Sequence, residues 1–263
     1  MNESDCERRY NNWYAKNEGT CASIVLLSVF GVLHATYFLN LAMPVLITKP
    51  IAIEEASFNL IVFLIVIVYA ASVLTLLSLC RLHTVKLSNL KPYVNDGNAV
   101  DPNDVCWHCK KYRRPDVRHC GTCGTCVEGY DHHCGVVGIC IGDKNFKFFV
   151  LFIAYSGIFI GMMGLSSFVY RRSTLKAEGK TDRNLDGSIS FVFALFGGLV
   201  MLSLVATAVS FFKMAIKPVR RKDERDYNER QKNESDKYDR TTHASNIKRI
   251  CGGYNLLRWI LPI

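Results

Sequence analysis

The sequence predicts an all-α membrane protein, and two features carry that expectation: four long apolar stretches almost free of charge, and polar residues gathered into the segments between them. The 263-residue chain is 49% hydrophobic and holds 32 Lys and Arg against 23 Asp and Glu, a formal charge of +9. Spread evenly, this composition would suit soluble domains, but it is sharply partitioned. Residues 21–42, 57–80, 146–170 and 188–212 each reach the roughly 20 residues that a helix needs to cross a hydrocarbon core. Four such runs exclude a soluble globular domain, a secreted disulfide-rich module and a disordered chain.

Taken in order, residues 1–20 mix Glu3, Asp5, Glu7 and Glu18 with Arg8, Arg9 and Lys16, unlike the basic start of a cleaved signal peptide. The first span, 21–42, is therefore expected to be retained. The second, third and fourth spans (57–80, 146–170, 188–212) then place 1–20, 81–145 and 213–263 on one side of the bilayer. The short loops 43–56 and 171–187 fall on the other. The first side holds 25 of the 32 Lys and Arg, which favours a cytosolic placement of both termini, although Arg171 and Arg172 run against the trend. Seven of the eleven cysteines lie between Cys106 and Cys140, a grouping suited to a reducing compartment. Both signals put the 81–145 segment in the cytosol, leaving the sequons at Asn2 and Asn233 unused. Charges of both signs crowd 213–240, as expected of a solvated linker. Beyond it, Ile250, Tyr254, Leu256, Leu257, Trp259, Ile260 and Leu261 fit either an interfacial segment, with Lys248, Arg249 and Arg258 toward headgroups, or packing against the cysteine-rich loop.

The loop itself reads Cys106, Cys109, His119, Cys120, Cys123, Cys126, Asp131, His132, His133, Cys134 and Cys140, with His108 between the first two thiols. Pairs of thiols three residues apart recur in overlapping succession with histidines among them. Zinc takes four tetrahedral thiolate or imidazole ligands, and one site would leave half of this set unexplained, so two structural zincs are expected. If six cysteines and two histidines supply the eight ligands, one cysteine and two histidines are left over. Cys134 is the natural one to leave free, because a thiol needs a neighbouring base to attack at neutral pH and Asp131, His132 and His133 directly precede it. Spacing alone leaves open which histidine is base and which is ligand, and whether Cys134 is itself a zinc ligand.

This run resembles the DHHC-type protein S-acyltransferases, or palmitoyltransferases, in the Asp131-His132-His133-Cys134 motif and in every spacing from Cys106 to Asn145. The resemblance implies four transmembrane helices with a cytosolic zinc-binding cysteine-rich domain, 106–145, between helices 2 and 3. It implies one zinc on Cys106, Cys109, His119 and Cys126 and a second on Cys120, Cys123, His133 and Cys140. It also implies Cys134 as nucleophile, His132 as its base and Asp131 as the carboxylate that orients the base. The chain departs from the family pattern in several places. Gly135, Val136, Val137, Gly138 and Ile139 stand where Pro-Trp-Val-x-Asn is usual, and Asp101-Pro102-Asn103 replaces Asp-Pro-Gly. Residues 211–218 lack the Thr-Thr-x-Glu motif, and Cys251 stands where an aromatic is common in a late patch formed by Tyr238-Asp239 and 246–252.

The expected reaction moves a long-chain acyl group, palmitoyl, from acyl-CoA through a thioester on Cys134 to cysteines of membrane-associated proteins. Lys110, Lys111, Arg113, Arg114, Arg118 and Lys144 are candidates for the CoA phosphates. Gly157, Gly161, Gly164, Gly197 and Gly198 permit close helix packing or a cavity for the tail. Palmitoyl-CoA as donor, membrane-associated substrate proteins and the bilayer are the expected partners, with no nucleic acid. An endomembrane (ER or Golgi) or the plasma membrane is the expected location. The rival reading is a zinc-dependent membrane scaffold of weak or no activity, given the altered run after Cys134.

Overall fold

The computed structural model describes residues 3–48, 53–87, 89–91, 105–112, 117–179, 185–216, 248, 250–252 and 256–262. Helix α1 (Glu3–Tyr37) continues through two π-helical turns, Phe38–Ala42 and Pro44–Thr48, and is followed by α2 (Glu55–Thr84). Six short strands come next: β1 (Val105–Cys106), β2 (Lys111–Tyr112), β3 (Val117–Cys120), β4 (Thr125–Glu128), β5 (His132–Cys134) and β6 (Ile139–Ile141). Helices α3 (Phe146–Ala177), α4 (Leu185–Ile216) and the short α5 (Leu256–Ile260) complete the described chain. Four helical stretches, Gly19–Ile47, Glu55–Thr84, Phe146–Ala177 and Ser188–Met214, are long and apolar enough to cross a membrane. At 1.5 Å per residue, the 32 residues of α3 run about 48 Å, so the helix extends beyond a core of about 30 Å.

The expectation of an all-α chain is corrected here. Between α2 and α3 the chain folds into three antiparallel hairpins, β1–β2, β3–β4 and β5–β6. Their strands are two to four residues long and are occupied by Cys and His, so no period-two apolar alternation announces them. Tight turns close them: Lys110, Gly124 and Gly138 each adopt positive φ.

Helix α3 packs between α2 and α4, with α1 and α4 the more exposed pair. Glycines set the α3–α4 distance. A Cβ on Gly161 would meet the Met201 side chain at 2.7 Å, and one on Gly197 would meet the Ile160 carbonyl at 3.2 Å. Gly198, by contrast, faces open space. Phe159, buried between α1 and α2, centres an apolar cluster with Tyr37, Leu41, Val45, Ile61 and Val68. Within it Ser166 donates to the Met163 carbonyl, so the Tyr37 hydroxyl, 2.9 Å away, donates to Ser166.

A second cluster joins the hairpins to the helices through Leu79, Leu82, Val137, Ile141, Phe146 and Phe149, with Ile250 and Cys251. Asn145, fully buried just ahead of α3, donates through its amide to the Cys140 carbonyl and accepts from the Gly142 amide, both at 2.9 Å. Glu128 accepts from the Asn89 amide at 2.6 Å and pairs with Lys144 at 3.1 Å, clipping the chain that leaves α2 to the second hairpin. Helix α5 lies along α3 and α4. Lys147 donates to the Arg258 carbonyl at 2.9 Å, Tyr155 donates to the Ile260 carbonyl, and Trp259 packs on Phe212. Leu257 and Ile260 stay exposed, so this segment has an apolar outer face as well as a docked inner one.

Candidate active site

The hairpins bring the metal-type side chains together by register. His119 lies opposite Cys126 in β3–β4, and His133 lies opposite Cys140 in β5–β6. Two groups result, Cys106 with Cys109, His119 and Cys126, and Cys120 with Cys123, His133 and Cys140. Their ligand atoms lie within 4.8 Å of one another. In the first, His119 Nδ1 is 3.6 Å from Cys106 Sγ and 3.3 Å from Cys109 Sγ. In the second, His133 Nδ1 is 3.9, 3.2 and 3.7 Å from the sulfurs of Cys120, Cys123 and Cys140. A tetrahedral ion with bonds of about 2.0–2.3 Å sets its ligands about 3.3–3.8 Å apart, so each group fits one such ion. Burial, with the nearby His108 ring, lowers the pKa of His119 and favours the neutral imidazole that a metal requires. The exposed His108 stacks on His119 with centroids 4.8 Å apart, a contact that its sequence position did not signal.

Cys134 belongs to neither group. It ends β5 and begins a turn closed by the Gly138 amide donating to the Cys134 carbonyl at 2.8 Å. His132, two residues back on the same face of the strand, donates from Nδ1 to Asp131 Oδ2 at 2.8 Å and sits beside the Cys134 side chain. With Nδ1 committed to the carboxylate, the other ring nitrogen is the one able to take the thiol proton. The Asp131 hydrogen bond, then that of Cys134, raises His132 to about 9 against the opposing effect of burial. Burial pushes Cys134 up, but hydrogen bonds from His132 and from the backbone of Val137 and Val136 outweigh it and leave the thiol below its ordinary value. The two shifts together favour a thiolate beside an imidazolium. Phe149 meets the His132 ring edge-on at 5.4 Å, and Phe211 of α4 stacks on it at 6.2 Å. Phe211 stands where the expected late motif is missing, and neither aromatic was marked by the sequence pattern.

Cys134 also opens into a cavity of about 340 Å³ bounded by Leu26, Phe30 and Leu33 of α1, Leu76 and Leu79 of α2, and Phe152, Phe159 and Ile160 of α3. Its α3 wall runs from Phe149 to Ile160, about 17 Å of helix. The lining is apolar apart from Thr75, Ser156 and Cys134 itself, and Thr75 spends its hydroxyl on the Ala71 carbonyl. A thiol lining a long, almost wholly apolar cavity suits a long aliphatic chain better than a short or charged group.

Lys110 lies over the Trp107 ring at 5.5 Å, Lys111 pairs with Cys106 in β2, Arg118 is half-buried in β3, and Lys144 is matched by Glu128. Arg113 and Arg114 lie outside the described residues, as do Asp101-Pro102-Asn103, Tyr238-Asp239 and the sequon asparagines Asn2 and Asn233.

Residues 99–220 match the family model described as DHHC palmitoyltransferase. The chain is 26% identical over 182 residues to palmitoyltransferase PFA5 of Saccharomyces cerevisiae, covering 60% of this chain and 48% of that protein. It is 38% identical over 78 residues to human palmitoyltransferase ZDHHC18, covering 28% of this chain and 19% of that protein. With human palmitoyltransferase ZDHHC9 the identity is 50% over 57 residues, 22% of this chain and 16% of that protein. The chain thus spans about half or less of the length of the curated relatives it matches.

Proposed function

We propose that this chain, whose residues 99–220 match the DHHC palmitoyltransferase family model, is a multi-pass membrane protein S-acyltransferase. In this reading it moves a long-chain acyl group from acyl-CoA to cysteines of membrane-associated proteins through a thioester on Cys134. The observation that carries this reading is the joint placement of Cys134: two residues from His132 on the same face of β5, and lining the apolar cavity.

The acyl tail lies among α1, α2 and α3, and the thioester carbonyl faces Cys134 at the cavity mouth. His132 takes the thiol proton, the sulfur attacks the carbonyl carbon, and the C–S bond to CoA breaks as the imidazolium returns that proton to the departing thiolate. The substrate protein's cysteine then repeats the sequence. His132 takes its proton, its sulfur displaces Cys134, and the proton returns to the released thiolate. One thioester replaces another at each step, so no nucleotide is consumed. Asp131 holds the ring in the tautomer that can accept the proton and stabilises its charged form.

The two Cys/His groups are assigned to structural zinc, one on Cys106, Cys109, His119 and Cys126, the other on Cys120, Cys123, His133 and Cys140. Bound zinc would cross-link the three hairpins and so fix the strand and turn that carry His132 and Cys134. The hairpins are assigned to the cytosolic side with both termini. Lys110, Lys111, Arg113, Arg114 and Arg118 are assigned to the CoA phosphates, and Lys144, already neutralised by Glu128, contributes least.

The test is a stopped incubation of the purified, zinc-loaded chain with palmitoyl-CoA alone. The expected result is a burst of free CoA of about one per chain before slower release, the signature of a covalent intermediate. Absence of CoA release from folded, zinc-loaded protein would favour the scaffold reading.

A further inference from the structure

Glycine inside a helix is disfavoured unless something needs its bareness, and α1 contains two with opposite surroundings. Gly31 has open space where a side chain would begin. A Cβ on Gly19 would sit 2.8 Å from the carbonyl oxygen of Gly138 and 3.7 Å from its carbonyl carbon, and a backbone carbonyl cannot swing aside as a side chain can. Gly138 is held in turn at φ +67° and donates its amide to the Cys134 carbonyl. Pressure on Gly138 is therefore pressure on the turn whose other end is Cys134. Val137, between them, is fully buried and lines the cavity with Val136, opposite Leu26 and Leu27, two turns along α1 from Gly19. The next turn of α1 is tied to the same spot, because the Ser23 hydroxyl donates to the Gly19 carbonyl at 2.8 Å.

We infer that Gly19 is a positioning residue for Cys134: it lets the backbone of α1 rest on the turn after the nucleophile and so sets the separation of thiol and cavity mouth. The inference rests on the acyl-enzyme reading above. It assigns to the first helix, which lies outside the matched domain residues, a direct hand in the geometry of the reacting sulfur.

The test is single-turnover acylation of Cys134 by palmitoyl-CoA in the full chain, read as the rate constant of the acylated fraction, which unfolded molecules do not alter. Gly19→Ala is expected to slow it about threefold and Gly19→Val about tenfold, because a shift well under 1 Å already misaligns a reacting atom. The palmitoyl-CoA concentration for half-maximal rate should stay within about twofold and the zinc content should stay at two. Thr20→Val, at the exposed neighbouring position, should leave the rate unchanged. If Gly19→Val fails to fold, Gly19→Ala alone decides. A wild-type rate constant in the Gly19 variants overturns the inference alone. So does a raised half-maximal concentration at unchanged maximal rate, which would make Gly19 only a wall of the cavity. A wild-type chain that is never acylated overturns the acyl-enzyme reading as well.

Discussion

His132 and His133 are adjacent, yet the strand sends them to opposite faces, one toward Asp131 and Cys134 and the other toward Cys120, Cys123 and Cys140. This alternation supports the two different roles proposed for them, which spacing alone left open, and it was invisible until the segment was known to be extended. His132→Ala should lower the acylation rate about 100-fold or more while two zincs remain bound, measured by label incorporation and metal analysis on the same sample. Loss of a zinc in that variant would mean that the two histidines have exchanged roles. The pH profile follows from the two shifts. The reactive pair needs Cys134 deprotonated and His132 protonated, so the rate rises with pH through a thiol value below the usual one and falls again near 9. Since the Asp131 hydrogen bond is the largest upward influence on His132, Asp131→Asn should move the alkaline limb to lower pH. An unmoved alkaline limb in a pH–rate profile would assign that limb to another group.

At the scale of elements, Asn145 couples the last hairpin to α3. Truncation in Asn145→Ala leaves the Gly142 amide and the Cys140 carbonyl buried without these partners, a cost of about 1–3 kcal/mol. Thermal melting of the zinc-loaded protein should record it, and a melting curve like that of the wild type would contradict the coupling. The α3–α4 seam behaves differently, since Gly197→Leu must push a side chain into the Ile160 carbonyl and the Gly161 and Gly164 backbone. Overpacking there should cost about 1–3 kcal/mol, whereas Gly198→Leu, facing open space, should be close to neutral. The four spans were legible because each is a long uninterrupted apolar run. The hairpins were not, because strands this short take their shape from turns and metal-type side chains. The cavity was not legible either: Phe30, Leu76 and Phe152 read as ordinary apolar positions until three helices enclose them.

For the whole molecule, the cysteine ladder pointed to two metal groups and left the status of Cys134 open, while the docking of α5 and the Glu128 clip emerged only from tertiary contacts between residues far apart in sequence. The Glu128 clip and the cluster of Leu79, Leu82, Val137, Ile141 and Phe149 hold the hairpins against the ends of α2 and α3, so zinc loss should propagate to the site. Treatment with a strong chelator should release two zincs and abolish acylation of Cys134, with loss of the hairpins seen by amide hydrogen exchange. Full acylation by metal-free protein would remove zinc from the account. The orientation assigned to the hairpins predicts that a membrane-impermeant thiol reagent labels Cys134 in permeabilised but not in sealed cells.

The most direct measurement is the fate of one sulfur. Purified full-length chain, incubated with radiolabelled palmitoyl-CoA, should carry a label that neutral hydroxylamine removes and that Cys134→Ser fails to acquire while still binding two zincs. A hydroxylamine-sensitive label that persists in Cys134→Ser, or a folded, zinc-loaded wild-type chain that takes up no label, would contradict the account.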